Sequence, residues 1–167
     1  MFNQEDAPFE VVDLEVPPSN DQIGGDVIES AQKVGFTISK ASVRKSEDGS
    51  VARLNIQAKV GPMGVDGNGK YTGKVIFAEP IVYVDTNVKT SDWWKKQARF
   101  PWKQLQGALG MDASAGVRIN DSFLTSLQGK EFVADIKKEE MRVKNSEGVY
   151  VGTGDFKNTL ANFKKSA

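Results

Sequence analysis

The sequence predicts a mainly β protein with short helices, folded as a small closed or half-closed barrel. Alternating apolar and polar residues flank the turn at Asp48-Gly49, which predicts a β-hairpin. Further short stretches alternate in the same way. One strong helical pattern, between Trp93 and Gly110, interrupts them. Five or more short strands with one inserted helix favour an OB-like five-stranded barrel.

The N-terminal segment, residues 1–26, is predicted to be an acidic and partly extended arm. Residues 1–30 contain no Lys or Arg and eight acidic residues: Glu5, Asp6, Glu10, Asp13, Glu15, Asp21, Asp26 and Glu29. The apolar residues from Phe9 to Val16 are compatible with a short strand that prolines end. The spacing of Val27, Ile28, Ala31 and Val34 predicts a short helix ending at Gly35.

The predicted barrel begins with a hairpin of Phe36 to Arg44 and Val51 to Val60. In the second strand the alternation directs Leu54, Ile56, Ala58 and Val60 inward and Arg53, Asn55, Gln57 and Lys59 outward. A glycine-rich stretch, Gly61 to Gly73, is predicted to be a long flexible loop. Two more strands, Lys74 to Ala78 and Ile81 to Val84, are separated by Pro80.

Helices follow these strands. Asp92 is predicted to cap a helix that starts at Trp93, and Pro101 either kinks it or begins a new helix that Gly110 ends. Asn120 or Asp121 is predicted to cap a further short helix. The last elements are a strand from Glu131 to Lys137 and a hairpin around residues 145–148.

The chain therefore divides into three predicted parts: the acidic arm of residues 1–26, an OB-like barrel of residues 27–155 and a basic C-terminal helix or tail of residues 156–167. The C-terminal helix is predicted from the helical spacing of Phe156, Leu160 and Phe163.

The amino-acid composition excludes several classes of function. The chain has no Cys and no His, which excludes Ser-His-Asp and Cys-His nucleophilic sites and the usual zinc sites. We therefore expect neither enzymatic activity nor a cofactor or metal. The chain has no apolar run of membrane-spanning length and no signal-peptide pattern, so we expect a cytoplasmic protein without membrane contact. The formal net charge is zero, but 22 bases against 22 − 8 = 14 acids give residues 31–167 a net charge of +8.

The strongest candidate site is the run from Trp93 to Lys103. It combines aromatic side chains, which stack on bases, with cations that neutralise phosphates. Its predicted binding residues are Trp93, Trp94, Lys95, Lys96, Arg99, Phe100 and Lys103. Helical spacing also predicts that at least one tryptophan belongs to the core, leaving one or two aromatic residues exposed.

Two further sets of candidate residues lie on the predicted sheet and the glycine-rich loop. Lys40, Arg44, Arg53 and Lys59 form a basic stripe if they share the outward face of the hairpin, although a solvated sheet face explains them equally well. Lys70, Tyr71 and Lys74 could place a stacking ring and two cations over a bound strand. The loop lacks the spacing of nucleotide-binding motifs.

Three short motifs combine glycines with apolar residues: Gly73-Lys74-Val75-Ile76-Phe77, Leu105-Gln106-Gly107-Ala108-Leu109-Gly110 and Leu127-Gln128-Gly129-Lys130-Glu131-Phe132. They resemble motifs of a family of small phage proteins encoded among replication and recombination genes. The resemblance spans roughly residues 36–151. It implies an OB fold and single-stranded DNA binding.

The sequence thus predicts a phage-encoded, single-stranded DNA-binding protein of low sequence specificity that protects replication or recombination intermediates in the host cytoplasm. Replication or recombination proteins are possible partners of the acidic arm, and the oligomeric state is open between monomer and dimer. An alternative is a protein-interaction module whose acidic arm mimics nucleic acid and inhibits a host DNA-binding protein. A structural component of a virion and a metal-dependent enzyme are further alternatives.

Overall fold

The computed structural model of the protein describes residues 27–166, so the predicted acidic arm lies outside the described residues. The fold is mainly β. Its six strands are β1 Ala31–Lys45, β2 Val51–Val60, β3 Val75–Ala78, β4 Ile81–Val84, β5 Glu131–Lys144 and β6 Tyr150–Lys165. Its three short helices are α1 Asp92–Lys96, α2 Phe100–Ala108 and α3 Asp121–Leu127.

All strand pairs are antiparallel and belong to one sheet of order β3-β2-β1-β5-β6, with β4 also paired to β2. The outer strands β3 and β6 approach each other to within 8 Å between Cα atoms, but no backbone ladder joins them among residues 27–166. The prediction of a mainly β protein with short helices is confirmed. Of the closed or half-closed five-stranded barrel that was predicted, the closed form is wrong, because the sheet has six strands and stays open. The short β3, which ends just before Pro80, leaves little backbone for a closing ladder.

The β1–β2 hairpin is confirmed. Ile38 pairs with Ala58 and Val43 with Leu54, so both strands direct alternate residues into the core. Asp48 stabilises the turn by accepting hydrogen bonds from the backbone N–H and hydroxyl of Ser50 and the hydroxyl of Ser46. These bonds, the one from the Ser50 backbone above all, lower the pKa of Asp48 to about 2.

Two predicted helices are instead strand segments that contain β-bulges. Of the residues predicted as a helix ending at Gly35, residues 27–30 are irregular and residues 31–35 belong to β1, and the predicted C-terminal helix or tail belongs to β6. Lys33 and Asn162 each have a φ of 56°, and the ladders change register beside them. A bulge adds one residue to a strand, so inward side chains become three residues apart instead of two. Leu160 and Phe163 pack on the core with this spacing, which imitates a helix.

Asp135 on β5 bridges the two bulges. Its carboxylate accepts a hydrogen bond of 3.0 Å from the backbone N–H of Lys33 and one of 2.8 Å from Nδ2 of Asn162. The Asn162 bond, followed by the Lys33 bond, lowers the pKa of Asp135 below its ordinary value of 3.8. One side chain therefore fixes the register of both neighbouring strands.

Replacing Asp135 with asparagine is expected to lower the free energy of unfolding by about 1 kcal/mol near neutral pH, because the single amide oxygen can accept from only one of the two donors and the amide NH2 group would face the other. A lowered native pKa stabilises the fold above the ordinary carboxyl pKa, and this contribution disappears as the pH falls through the native value. The difference between native and Asp135→Asn protein, measured by urea denaturation, should therefore shrink below the ordinary value of 3.8. A difference that is constant down to the lowest accessible pH would contradict this role.

The main core lies on one face of the sheet and is covered by α2 and α3. Phe132 stacks on Phe36 with ring centroids 5.5 Å apart and meets the edge of Phe163 at the same distance. Trp102 and Leu105 of α2 are buried in the same cluster. Pro101 occupies the first turn of α2, so the predicted restart of the helix is confirmed.

The helix caps agree only in part with the predictions. Oδ1 of Asn120 accepts a hydrogen bond of 3.0 Å from the backbone N–H of Phe123, as the predicted cap of α3 requires. Asp92 is already helical and does not cap α1; Ser91 occupies the cap position without a side-chain bond. A carboxylate in the first turn still interacts favourably with the helix dipole.

Candidate nucleic-acid interface

An open cleft of about 1220 Å³ lies between the end of the sheet, α2 and residues 113–121. A second depression of about 570 Å³ adjoins it and shares Lys96 and Phe100 with it. Together we call these depressions the basic cleft. Its cationic and exposed aromatic side chains are Lys45, Arg53, Tyr83, Trp93, Lys95, Lys96, Arg99, Phe100 and Lys103.

The break between α1 and α2 shapes this cleft. The backbone N–H of Gln97 and of Ala98 both bond to the Trp93 carbonyl and close α1, and α2 starts again at Phe100. Ala98, in the linker between α1 and α2, is buried against Val51 and Ile81 and anchors this linker to the end of the sheet. The predicted aromatic and basic run is therefore divided between two helices, and its polar side chains line the cleft from both.

Three aromatic side chains at the cleft are about half exposed: Phe100 at 57%, Tyr83 at 52% and Trp93 at 48%. Such rings are anchored on one side and available on the other, as base stacking requires. Trp93 and Phe100 were predicted from the sequence, and their exposure agrees with the expectation that one or two aromatics of the run face solvent.

The other two tryptophans of the run are structural. Trp102 is buried in the main core. Trp94 packs against the cluster of Val51, Ile81 and Ala98 and meets Trp93 edge to face, with ring centroids 4.8 Å apart. Lys89 lies over the Trp94 ring, with its Nζ 5.5 Å from the centroid. Trp94, predicted as a binding residue, is thus placed to support Trp93.

Six cations line the cleft, against the two carboxylates of Glu79 and Asp121. Arg44 forms a 2.8 Å ion pair with Glu79 and offsets its charge. Lys96 and Asp92 are 3.9 Å apart on the exposed surface of α1, a distance and exposure at which an ion pair contributes little. The cleft therefore carries a net positive charge, which attracts polyanions.

The predicted basic stripe lies on the outward face of the sheet. Lys40 is opposite Gln57, and Arg44 is opposite Arg53. Arg53 also lines the cleft, so the stripe and the cleft meet at this residue. Lys59 lies further along β2, at the end away from the cleft, and is exposed.

The glycine-rich loop, which was predicted to be flexible and to fold over a bound strand, has an internal hydrogen-bond network. Internal hydrogen bonds close it, including Val65 N–H to the Lys70 carbonyl and the Thr72 hydroxyl to the Gly69 carbonyl. Gly64 has a φ of 65° and lies so close to the Lys70 backbone that any side chain there would collide. Tyr71 packs against the main core.

The candidate residues of this loop do not reach the cleft. Lys70 covers the Tyr71 ring, with its Nζ 5.3 Å from the centroid. Lys74 follows the loop and leads into β3. Lys70, Tyr71 and Lys74 are absent from the lining of both depressions.

Sequence reasoning missed three residues near the site. Lys45 ends β1 and Tyr83 lies on β4, and strand pairing with β2 brings both to the cleft. Phe77 lies opposite Gln57 on the outward face and is exposed. For Phe77 the alternation of apolar residues along β3 could have predicted the exposure, because it directs Phe77 to the face opposite the buried Ile76 and Ala78.

Several carboxylates serve as turn caps. Oδ1 of Asp66 accepts hydrogen bonds from the backbone N–H of Asn68 and Lys70, which lower its pKa. The hydroxyl and N–H of Ser114 lower the pKa of Asp112 in the same way. Across residues 27–166 we find no group of three acidic, His or Cys residues arranged to hold a metal ion. No helix in that range is both long and apolar enough to cross a lipid bilayer.

Comparison with known proteins adds no identification. No family model matches the sequence, and no curated protein matches it significantly. The resemblance to phage replication and recombination proteins therefore stays a prediction.

Proposed function

We propose that the protein binds single-stranded DNA in the basic cleft with little sequence specificity. The observation that carries this proposal is the combination of three half-exposed aromatic rings with six cations in one open cleft. Stacking accepts any base because every base has a π face, and cations accept any phosphate. No residue of the cleft needs a cofactor for this function.

The strand order supports an open variant of the OB fold as the scaffold. In the order β3-β2-β1-β5-β6 the first strand is central and pairs with both halves of the sheet, and the helices follow β4 and precede β5. The approach of β3 to β6 occurs where a closed OB barrel would join them. OB folds bind oligonucleotides across the outward face of their second and third strands and the adjoining loops. Here that face carries Arg53 and the exposed Phe77.

A bound strand would run from the outward sheet face past Arg53 into the cleft. Lys96 and Phe100, shared by the two depressions, lie at the crossing point, so a phosphate and a base could be held there together. Rigid duplex would lack the splayed bases that Trp93 and Phe100 need for stacking. The proposal therefore includes a preference for single strands over duplex.

Fluorescence anisotropy with labelled oligo-dT and a matched duplex tests this function. We expect binding to oligo-dT at low salt, weaker binding to duplex and a steep loss of affinity as salt rises. Absence of binding at low salt, or equal affinity for the duplex, would refute the proposed function.

The salt dependence gives a second, residue-level prediction. Replacing both Lys96 and Lys103 with alanine should reduce the slope of log affinity against log salt by about 1.4, because each lost phosphate contact on a single strand accounts for about 0.7. Lys130→Ala is the matched control, since this exposed lysine lies outside both depressions. Equal slopes for the double variant and the control would show that these lysines do not contact phosphates.

A further inference from the structure

Residues 137–157 form a two-stranded ribbon, the distal ribbon, that extends beyond the core. Every residue in this range is exposed. A two-stranded hairpin without further packing is marginally stable in water. The exposed residues of the ribbon nevertheless include the large apolar side chains of Met141, Val143, Val149, Tyr150, Val151 and Phe156. These features indicate that a further segment packs against the ribbon.

The outer edge of β5 is open along most of the ribbon. The ladder between β1 and β5 ends at the pair Ala31–Ile136, and the Lys138 N–H then meets the Ser30 hydroxyl at 3.4 Å. Within residues 27–166 no strand pairs with β5 on that side beyond this point.

Backbone direction along β5 shows which residues offer hydrogen bonds at the open edge. The Met141 carbonyl accepts from the Thr153 hydroxyl, and the Asn145 N–H donates to the Val149 carbonyl, so both groups face β6. Alternate residues of a strand direct their backbone groups to opposite edges. The residues that direct theirs to the open edge are therefore Glu140, Arg142 and Lys144.

The two faces of β5 in the ribbon differ in chemistry. Three cations and one carboxylate continue the face of the buried Ile136: Lys138, Arg142, Lys144 and Glu140. The Glu140 carboxylate is held within the ribbon by the Gly154 N–H at 2.9 Å, so the cations determine the charge of this face. The opposite face is apolar beyond Glu139, with the exposed Met141 and Val143.

Residues 12–16 show the same two-sided pattern with the opposite charge. In a strand, Asp13 and Glu15 would lie on one face and the three residues Val12, Leu14 and Val16 on the other. Five residues are an ordinary strand length and match the open edge from Glu140 to Lys144. Pro17 and Pro18, which cannot donate to a ladder, follow directly.

The described chain begins at the base of the distal ribbon. The Ile28 N–H donates to Oδ1 of Asn158 at 2.8 Å, and the Ile28 carbonyl accepts from Nδ2 of Asn158 at 2.7 Å. Glu29 forms a 2.8 Å ion pair with Lys138. Residues 1–26 are therefore tethered, through Val27, beside the open edge.

The tether is long enough for residues 12–16 to reach this edge. Residues 17–26 span up to about 33 Å when extended, whereas Lys138 to Lys144 covers about 20 Å along β5. The basic cleft is further away, because it reaches Lys45 at the far end of the 15-residue β1. A short tether favours the nearer cationic surface.

We propose that residues 12–16 add a strand to the open edge of β5 in the same molecule. The two acidic side chains of the added strand then lie beside Arg142 and Lys144, and its three apolar side chains extend the apolar patch of Met141 and Val143. Backbone hydrogen bonds to the open edge complete the ribbon as a three-stranded sheet. The β5 edge of a second copy would instead place its own net positive charge against that of the first.

Backbone hydrogen exchange of the full chain without nucleic acid, followed by NMR, tests the proposal independently of DNA binding. The N–H groups of Arg142 and Lys144 should exchange at least about tenfold more slowly than unpaired peptide groups. Replacing both Asp13 and Glu15 with lysine should raise their exchange at least about tenfold, because like charges would then adjoin. Adding Arg142→Glu and Lys144→Glu should restore the slow exchange.

A Glu5→Lys and Asp6→Lys double variant is the matched control, since it changes the charge of residues 1–26 equally but outside residues 12–16. It should exchange like the native chain, and circular dichroism checks that each variant is folded.

Four results would overturn the proposal: unpaired exchange rates in the native chain, native rates in the Asp13 and Glu15 variant, an equal effect of the control, or no recovery in the fourfold variant. Protection that appears only as the protein concentration rises would also overturn it, because the added strand would then come from a second molecule.

Discussion

Replacing Trp93 and Phe100 together with alanine is expected to weaken oligo-dT binding by roughly 30-fold to 10⁴-fold. Each ring that stacks on a base contributes about 1–3 kcal/mol, and 1.4 kcal/mol corresponds to a factor of ten in affinity. Both side chains are about half exposed, so their removal leaves no large cavity in the core. Fluorescence anisotropy at fixed low salt measures the effect.

Two controls separate stacking from other causes. Tyr150→Ala removes a ring that is as exposed as that of Phe100, at 58% against 57%. Tyr150 lies at the start of β6, outside both depressions, so this variant should bind oligo-dT like the native chain. A Trp93→Phe and Phe100→Tyr double variant keeps both π faces and should stay much closer to native affinity. If the alanine double variant binds as tightly as the Tyr150→Ala protein, base stacking at the cleft is disproved.

Phe132→Ala is expected to lower the free energy of unfolding by about 3–5 kcal/mol, the usual range for truncating a buried phenylalanine. Phe132 is 0% exposed and contacts the rings of both Phe36 and Phe163. Its removal would leave a cavity between the rings of Phe36 on β1 and Phe163 on β6. Because small domains are stable by only about 5–15 kcal/mol, this variant should unfold at a much lower urea concentration.

Phe156→Ala provides the matched comparison for Phe132. It truncates the same residue type on the paired strand β6 but at an exposed position, where the ring contacts Lys138 Nζ at 5.0 Å, so it should lower stability by no more than about 1 kcal/mol. Equal urea midpoints for the two variants would contradict the placement of the core between β1, β5 and β6.

The strands that the sequence predicted well are those with uninterrupted alternation. The β1–β2 hairpin follows directly from the period of two in Val51 to Val60 and from Asp48-Gly49. The false helices arose where bulges at Lys33 and Asn162 put inward residues three apart. The bulges depend on Asp135, more than 25 residues from either, which local periodicity cannot detect.

The sequence predicted those residues of the candidate site that lie close to one another along the chain, and missed those that come from distant strands. Most of the cationic and aromatic side chains that line the cleft belong to the run around Trp93 and Phe100, because this run forms two adjacent helices. Lys45 and Tyr83 come from distant strands, so only the pairing of β2 with β1 and β4 brings them there. The role of Trp94 depended on which side of a five-residue helix faces the sheet, and so short a helix has no clear periodicity.

The most direct test of the central claim, single-stranded DNA in the basic cleft, is ultraviolet crosslinking of oligo-dT to the native chain followed by mass spectrometry. Aromatic side chains that stack on bases lie close enough to form adducts with them. We expect adducts at Trp93 and Phe100, with Tyr83 as a further site. Adducts confined to residues outside the cleft, or none at saturating oligo-dT, would contradict the account.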